Sequence, residues 1–196
     1  MELISKEHYQ KTDSQNYFNL IAHSGDHGKY VYFIGIGGAG MSAIARILIN
    51  EGYIVSGSDI ESSPVTYELG ELGVRINTRQ DGECLEPDTN LVITSAAIDE
   101  NNPDLKKARS LGLKVVKYSE FLGSLMKTKY GIAISGTHGK TTTTAMISTI
   151  LQKTGHEPTF VIGGNVAGIG DNSRLGRGRH FVAEACEFDR TFLNLT

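Results

Sequence analysis

The sequence predicts an α/β protein built on parallel sheets. Short apolar runs alternate with helical patterns along most of its 196 residues, which is the order typical of βαβ units. Two of the turns between an apolar run and a helix are rich in glycine, at residues 35–40 and 136–139. Each half of the chain therefore has its own predicted strand–turn–helix unit.

The first glycine turn lies in a predicted βαβ unit. Residues 30–36 have the apolar character of a buried strand, and a helical pattern follows as far as Gly52. A second strand is predicted over residues 54–57. The turn contains the pattern Gly-x-Gly-x-x-Gly, and an acidic residue, Asp59, follows about 20 positions later, as in nucleotide-binding units. These features predict a Rossmann-like nucleotide-binding domain.

The alternation continues after Asp59. We predict helices over residues 64–73, 103–111 and 119–128, and strands over residues 74–76, 91–94 and 114–116. The Rossmann-like domain is thus assigned to residues 29–126. Residues 1–28 are polar and weakly patterned, and we interpret them as an N-terminal tail.

The second glycine turn has the order of a phosphate-binding loop. An apolar run, residues 132–134, precedes it, Lys140 and Thr141 follow, and a helix is predicted with Met146, Ile147, Ile150 and Leu151 on one face. The general pattern has another glycine where this sequence has Ile134, so the loop is short. The alternative is a glycine-rich turn that caps a helix and binds nothing. We assign residues 127–196 to a partial P-loop-type α/β domain.

Later in the chain, strands are predicted over residues 158–162 and 180–184, with a polar, glycine-rich connection at 171–178. Glu184 ends the last strand. An acidic residue at the end of an apolar strand that follows a phosphate loop is a usual Mg²⁺ ligand. Position alone supports equally a solvated loop carboxylate.

Composition excludes several classes of protein. The net charge is −3 and there is no basic run, so nucleic-acid binding is not expected. Cys84 and Cys186 are too few for a disulfide framework. No apolar run is long enough to span a membrane, and the N-terminus lacks a signal-peptide core. We expect a cytoplasmic protein with no membrane partner.

The motifs together resemble the Mur ligase family. The resemblance covers residues 30–196 and is carried by Gly35-Ile36-Gly37-Gly38-Ala39-Gly40-Met41-Ser42, Ser56-Gly57-Ser58-Asp59, Gly136-Thr137-His138-Gly139-Lys140-Thr141-Thr142-Thr143-Thr144, Pro158-Thr159-Phe160 and Glu184-Ala185-Cys186-Glu187. The short phosphate loop is the form found in these ligases. The family's three-domain organisation implies that this chain is truncated within the central domain and is not active alone.

The resemblance implies an activity and a set of site residues. ATP, with Mg²⁺, phosphorylates the lactyl carboxylate of UDP-N-acetylmuramate, and L-alanine attacks the acyl phosphate, in peptidoglycan precursor synthesis. Catalytic roles fall to Lys140 and Glu184, and metal ligation to Thr141 and Glu184. The implied ATP contacts are Gly136, Thr137, His138, Gly139, Lys140, Thr141 and Thr142. The implied UDP-sugar contacts are Gly37, Gly38, Ala39, Gly40, Met41, Ser42, Asp59 and Ser95. His138 faces the sugar or is structural.

Two departures from the family's pattern affect the implied sites. The usual acidic motif is Glu-Ala-Asp-Glu-Ser-Asp, and Cys186 and Phe188 replace two of its polar members while Glu184, Glu187 and Asp189 keep their places. A Gly-His pair common after the third strand is replaced by Arg79-Gln80. Local substrate contacts and part of the uridine site are the features these changes affect.

Two other functions fit parts of the sequence. An NAD-binding module of an oxidoreductase would use Gly35, Gly37, Gly40 and Asp59, but hydride transfer does not need a γ-phosphate clamp such as Lys140-Thr141. A non-catalytic nucleotide-binding protein built from ligase parts fits the short length.

Overall fold

A computed structural model describes Tyr17, residues 29–164 and residues 172–185. The described residues form two sheets and five helices. The strands are β1 (Tyr30–Ile34), β2 (Ile54–Ser58), β3 (Arg75–Asn77), β4 (Leu91–Thr94), β5 (Val115–Lys117), β6 (Tyr130–Ile134), β7 (Thr159–Val161), β8 (Ser173–Arg174) and β9 (His180–Glu184). The helices are α1 (Ala39–Asn50), α2 (Pro64–Glu71), α3 (Pro103–Ser110), α4 (Tyr118–Met126) and α5 (Lys140–Lys153).

The first sheet is parallel throughout, in the order β3-β2-β1-β4-β5. Its central strand, β1, is buried on both faces. Val31 and Phe33 share a core with residues of α1, α2 and α4, whereas Tyr32 and Ile34 pack with Leu105 and Ala108 of α3. Helices on both faces of a parallel sheet explain the continuous apolar runs in the sequence. The predicted α/β fold is confirmed.

The second sheet has the order β6-β9-β7-β8, and only β8 is antiparallel to its neighbour among the described strands. One face packs against α5 and the other joins the core of the first half. The Ser173 Oγ donates to the Ala43 carbonyl oxygen of α1 at 2.9 Å. Helix α1 therefore lies between the two sheets. The sequence did not predict β8, because two residues show no alternation.

Local signals fixed the starts of two helices. Ser63 accepts a hydrogen bond from the Thr66 N–H, and the Thr66 hydroxyl oxygen accepts one from the Ser63 N–H, which forms a capping box at α2. Asn102 caps α3 through the N–H groups of Asp104 and Leu105. A proline follows each cap at the first helical position, where its missing N–H costs nothing.

The apolar face predicted for α5 is only partly correct. Ile147 and Leu151 pack against the second sheet, but Met146 and Ile150 are exposed. The buried side chains of α5 are Thr144, Ala145 and Ser148. Small side chains let a helix approach a sheet closely, so the buried face is centred on them.

Apolar side chains are exposed on this helix and on the strand before it. In the part of the chain that the structure describes, β6 is an edge strand of the second sheet. Tyr130 at its start is 69% exposed, and Met146 and Ile150 are 60% and 57% exposed. No helix among the described residues has the length and apolar character to cross a bilayer.

Gly57 of β2 pairs with Phe33 of β1, and we expect Gly57→Ala to destabilise the fold. The added Cβ would lie 2.5 Å from the backbone carbonyl oxygen of Phe33, which the sheet prevents from moving. Overpacking of this kind costs about 1–3 kcal/mol or more. Gly70→Ala is the matched control, because Gly70 lies in α2 and a Cβ there would meet no atom within 4 Å. Urea unfolding should show a loss for Gly57→Ala and a small gain for Gly70→Ala; equal midpoints would contradict the prediction.

Candidate functional site

The first glycine turn connects β1 to α1 at the carboxyl edge of the first sheet. Gly35 has φ +84°, in the left-handed region, and its N–H and that of Ile36 donate to the Ser58 carbonyl oxygen at 2.8 and 3.0 Å. Gly38 begins α1 without a side-chain cap. The first N–H groups of a helix have no partner within the helix, and they favour anions. The turn therefore presents a helix end at which negative charge is favoured.

Asp59 lies directly against this turn. Its Oδ2 accepts a hydrogen bond from the Gly37 N–H at 2.7 Å, and its Oδ1 accepts one from the Glu61 N–H at 3.1 Å. A Cβ on Gly37 would lie 2.8 Å from the same Oδ2, so the contact requires glycine. Each carboxylate oxygen can accept another hydrogen bond. Asp59 thus fixes the turn and can still contact a ligand hydroxyl.

The structure brings the other predicted UDP-sugar residues to this edge. The Ser95 N–H donates to the Ile34 carbonyl oxygen at 3.0 Å, and the Ser95 Cβ would lie 3.1 Å from a Cβ on Gly35. Met41 and Ser42 have buried side chains, and the Ser42 Oγ donates to the Ala39 carbonyl oxygen at 3.0 Å. The Ser42 N–H also donates, to the Gly38 carbonyl oxygen at 2.8 Å, so of these two residues Met41 is the one whose backbone N–H can meet a ligand.

The second glycine turn connects β6 to α5 with the predicted geometry. Gly136 has φ +143°, and Gly139 begins α5 with φ +77°. The Lys140 Nζ folds back over the turn and donates to the Gly136 carbonyl oxygen at 2.5 Å. Thr137 and His138 are exposed. The solvent-exposed turn therefore brings together the Lys140 ammonium group and the N-terminus of α5.

Glu184 lies beside the second turn. It pairs with Ile134 across β6 and β9, and its Oε1 accepts a hydrogen bond from the Gly163 N–H at 2.7 Å. A Cβ on the next residue, Gly164, would lie 3.6 Å from the Thr141 Cγ2. The residues 163–164 thus sit between Glu184 and Thr141. The sequence marked these glycines only as a loop, because their contact with Glu184 is not local.

A carboxylate and a threonine hydroxyl flanking this turn suit Mg²⁺. No group of three or more His, Cys, Asp or Glu side chains that could hold a metal occurs among the described residues. Mg²⁺ is usually bound by one or two protein oxygens together with substrate phosphates and water. The pair Thr141 and Glu184 fits that donor set. Cys186, Glu187, Phe188 and Asp189 lie outside the described residues.

Sequence reasoning missed a buried polar contact between α3 and β1. Asp104 of α3 is fully buried, and its Oδ2 accepts a hydrogen bond from the Tyr32 hydroxyl at 3.1 Å. Burial, followed by the charge of Asp104, raises the pKa of Tyr32 above its usual value. Tyr32 is therefore held as the neutral donor. The only sequence signal was an acidic residue after Asn102-Pro103, which predicts a helix start and no contact with β1.

Residues 30–130 match the family model described as the Mur ligase family, catalytic domain. The chain belongs to the Mur ligase family. The predicted family is confirmed, and the match covers the first sheet with its glycine turn.

Individual Mur ligases resemble the chain over most of its length. It is 47% identical over 166 residues to the UDP-N-acetylmuramate–L-alanine ligase of Sulfurihydrogenibium sp. (strain YO3AOP1), covering 85% of this chain and 36% of the relative. It is 49% identical over 167 residues to the same-named ligase of Burkholderia cenocepacia (strain HI2424), again with 85% and 36% coverage. The chain thus spans about a third of the length of the curated relatives it matches.

Solved Mur ligase structures share the fold. UDP-N-acetylmuramate-alanine ligase MurC from Thermotoga maritima superimposes with a TM-score of 0.74 at 34% identity, covering 79% of this chain and 36% of that one. UDP-N-acetylmuramate:L-alanyl-gamma-D-glutamyl-meso-diaminopimelate ligase from Neisseria meningitides gives 0.76 at 28%, with 82% and 53% coverage. The roles of individual site residues and the domain boundaries remain predictions.

Proposed function

We propose that this chain is the nucleotide-binding portion of a UDP-N-acetylmuramate–L-alanine ligase. The observation that carries the proposal is the pair of glycine turns, each leading from a parallel strand into a helix N-terminus, with Lys140 and Glu184 at the second. Relatives of that name share 45–49% of aligned residues with the chain. A hydride-transfer enzyme has no use for the second turn.

At the first turn, residues 37–42 would bind the diphosphate of UDP-N-acetylmuramate. The backbone N–H groups at the start of α1 are donors, and the helix end favours negative charge. Asp59 and Ser95 border the same edge, and we expect them to contact the nucleoside or sugar hydroxyls. Glycine at position 37 allows the turn to keep its contact with Asp59.

At the second turn, residues 136–142 would hold the phosphates of ATP. Lys140 exchanges its contact with the Gly136 carbonyl for phosphate oxygens, and its charge stabilises the phosphoryl group during transfer to the lactyl carboxylate. Thr141 and Glu184 would hold Mg²⁺, which supplies neutralisation of phosphate charge when bound. His138 is exposed in this turn and available to a substrate.

We further propose a Rossmann-like UDP-sugar-binding domain over residues 29–126 and the beginning of an ATP-binding domain over residues 127–196. The relatives continue well beyond the aligned region. Binding of L-alanine and turnover would need that further sequence, so the 196-residue chain alone is expected to bind nucleotides without catalysis. Its substrates would place it in the cytoplasm.

Titration calorimetry of the 196-residue chain tests the proposal. UDP-N-acetylmuramate should bind, Mg²⁺–ATP should bind at a separate site, and NADH should give no heat. Binding of NADH without a response to UDP-N-acetylmuramate would favour an oxidoreductase module instead. ATP-dependent phosphate release by this chain, with L-alanine and UDP-N-acetylmuramate present, would contradict the proposed need for the further sequence.

A further inference from the structure

A hydrogen-bonded network connects helix α3 with the loop that follows β3, residues 78–83. Its centre is Asp104, whose side chain is 0% exposed. Besides the Tyr32 hydroxyl, Asp104 binds the Gly82 N–H, which donates to Oδ1 at 2.6 Å. A buried carboxylate is tolerated only when its oxygens are hydrogen-bonded, and the first turn of a helix favours its charge. Both carboxylate oxygens of Asp104 thus take part in tying the loop to β1 and α3.

A second contact holds the same loop in an uncommon conformation. Gln80 has φ +48° and is 6% exposed, and its Oε1 accepts a hydrogen bond from the Asn102 Nδ2 at 2.8 Å. A residue with a side chain adopts positive φ only when its surroundings impose it. Asn102 is itself fixed, because its Oδ1 caps α3. The start of α3 is therefore hydrogen-bonded to the loop at both Gln80 and Gly82.

The loop in turn leads to the first glycine turn. The Asn77 Oδ1 accepts from the Arg79 N–H at 3.0 Å, and the Asn77 Nδ2 donates to the Asp81 Oδ1 at 2.8 Å. The Asn77 carbonyl oxygen accepts from the Asp59 N–H at 3.0 Å. Asp59 then accepts from the Gly37 N–H at 2.7 Å. A continuous set of contacts thus runs from the loop to the proposed diphosphate site.

We propose that Asp104 is a positioning residue for the sugar-nucleotide site. It fixes the loop 78–83, the loop fixes Asn77, and Asn77 fixes Asp59 against Gly37. Asp104 is fully buried, so it acts on the site without touching the ligand. The inference rests on the proposed function, in which the first glycine turn binds UDP-N-acetylmuramate.

Three variants separate positioning from stability. Asp104→Ala removes both acceptors, and it should weaken binding of UDP-N-acetylmuramate by the 196-residue chain about threefold to thirtyfold, the range for residues that act on a site at a distance. Asp104→Asn keeps an oxygen for the Gly82 N–H and offers its amide to the Tyr32 oxygen, so affinity should be largely restored. Leu105→Ala truncates the next buried side chain of α3, which packs with Tyr32 and Val92, and leaves the loop contacts in place.

The outcomes are distinct when binding is measured well below the melting temperature of each variant. Leu105→Ala should lower the melting temperature and leave the dissociation constant unchanged. Mg²⁺–ATP binding should be unchanged in all three variants. Equal losses of affinity in Asp104→Ala and Leu105→Ala, or unchanged affinity in Asp104→Ala, would overturn the inference.

Amide hydrogen exchange provides a readout that needs no ligand. Exchange of the Asp59 N–H should become faster in Asp104→Ala and stay slow in Leu105→Ala. If Asp104→Ala does not fold, Gln80→Gly serves instead, because glycine adopts φ +48° freely and lacks the contact with Asn102; it should speed the same exchange and weaken binding. Absence of UDP-N-acetylmuramate binding by the wild-type chain would refute the proposed function. Unchanged exchange at Asp59 would refute the network itself.

Discussion

Lys140→Met should weaken Mg²⁺–ATP binding by about 10- to 100-fold while UDP-N-acetylmuramate binding stays unchanged. Charge-assisted hydrogen bonds contribute about 1.5–3 kcal/mol each, which corresponds to that range. Methionine keeps the length and apolar stem of lysine but cannot donate to phosphate. In the absence of nucleotide the substitution removes only the hydrogen bond from Lys140 to the Gly136 carbonyl oxygen, so the free energy of unfolding should change little. Calorimetric titration of the two ligands measures both effects.

Lys153→Met is the matched control for this variant. Lys153 is exposed at the opposite end of α5, so it carries the same charge on the same helix without facing the glycine turn. A general effect of charge would appear in both variants, whereas a phosphate contact would appear only at position 140. Unaltered ATP affinity in Lys140→Met would remove the main support for a phosphate role of the second turn.

Gly37→Ala should reduce UDP-N-acetylmuramate binding by about 10- to 100-fold and leave Mg²⁺–ATP binding intact. The new Cβ would lie 2.8 Å from the Asp59 Oδ2 and 3.1 Å from the Thr66 Cγ2, so either the turn or Asp59 must move. Overpacking costs about 1–3 kcal/mol, and displacing the turn misaligns the N–H groups that would meet the diphosphate. Parallel titrations and thermal unfolding measure affinity and stability.

Gly131→Ala controls for the added volume. Gly131 lies in β6, away from the first turn, and a Cβ there would lie 2.9 Å from the Met126 Cε. This variant should lose some stability and retain UDP-N-acetylmuramate affinity. Similar binding losses in both variants would indicate that the effect of Gly37→Ala arises from general destabilisation.

The parts of the fold that the sequence predicted are those encoded by neighbouring residues. The Pro64 and Pro103 helix starts, the central strands and both glycine turns depend on patterns within about a dozen positions. The Asp59 position was also predicted, because the spacing in a βαβ unit is nearly constant. The structure places Asp59 on Gly37 itself, which the spacing did not reveal.

The features that the sequence did not predict depend on contacts between distant residues. The Gly163 N–H meets Glu184 across 21 positions, and Tyr32 meets Asp104 across 72. The buried face of α5 was misjudged because apolar spacing does not show which side a sheet covers, and here Ala145 and Ser148 face it. Pairing of β8 likewise depends on β7 and not on its own two residues.

The placement of α1 has a consequence for how the protein can be divided. One helix supplies the anion-facing end of the first site and, through Ala43, a support for the strand that contains Ser173. A fragment that ended at α4 would expose that side of α1 to solvent and would be prone to aggregation. A stable fragment would therefore need polar substitutions on that side of α1, or both halves must stay on one polypeptide.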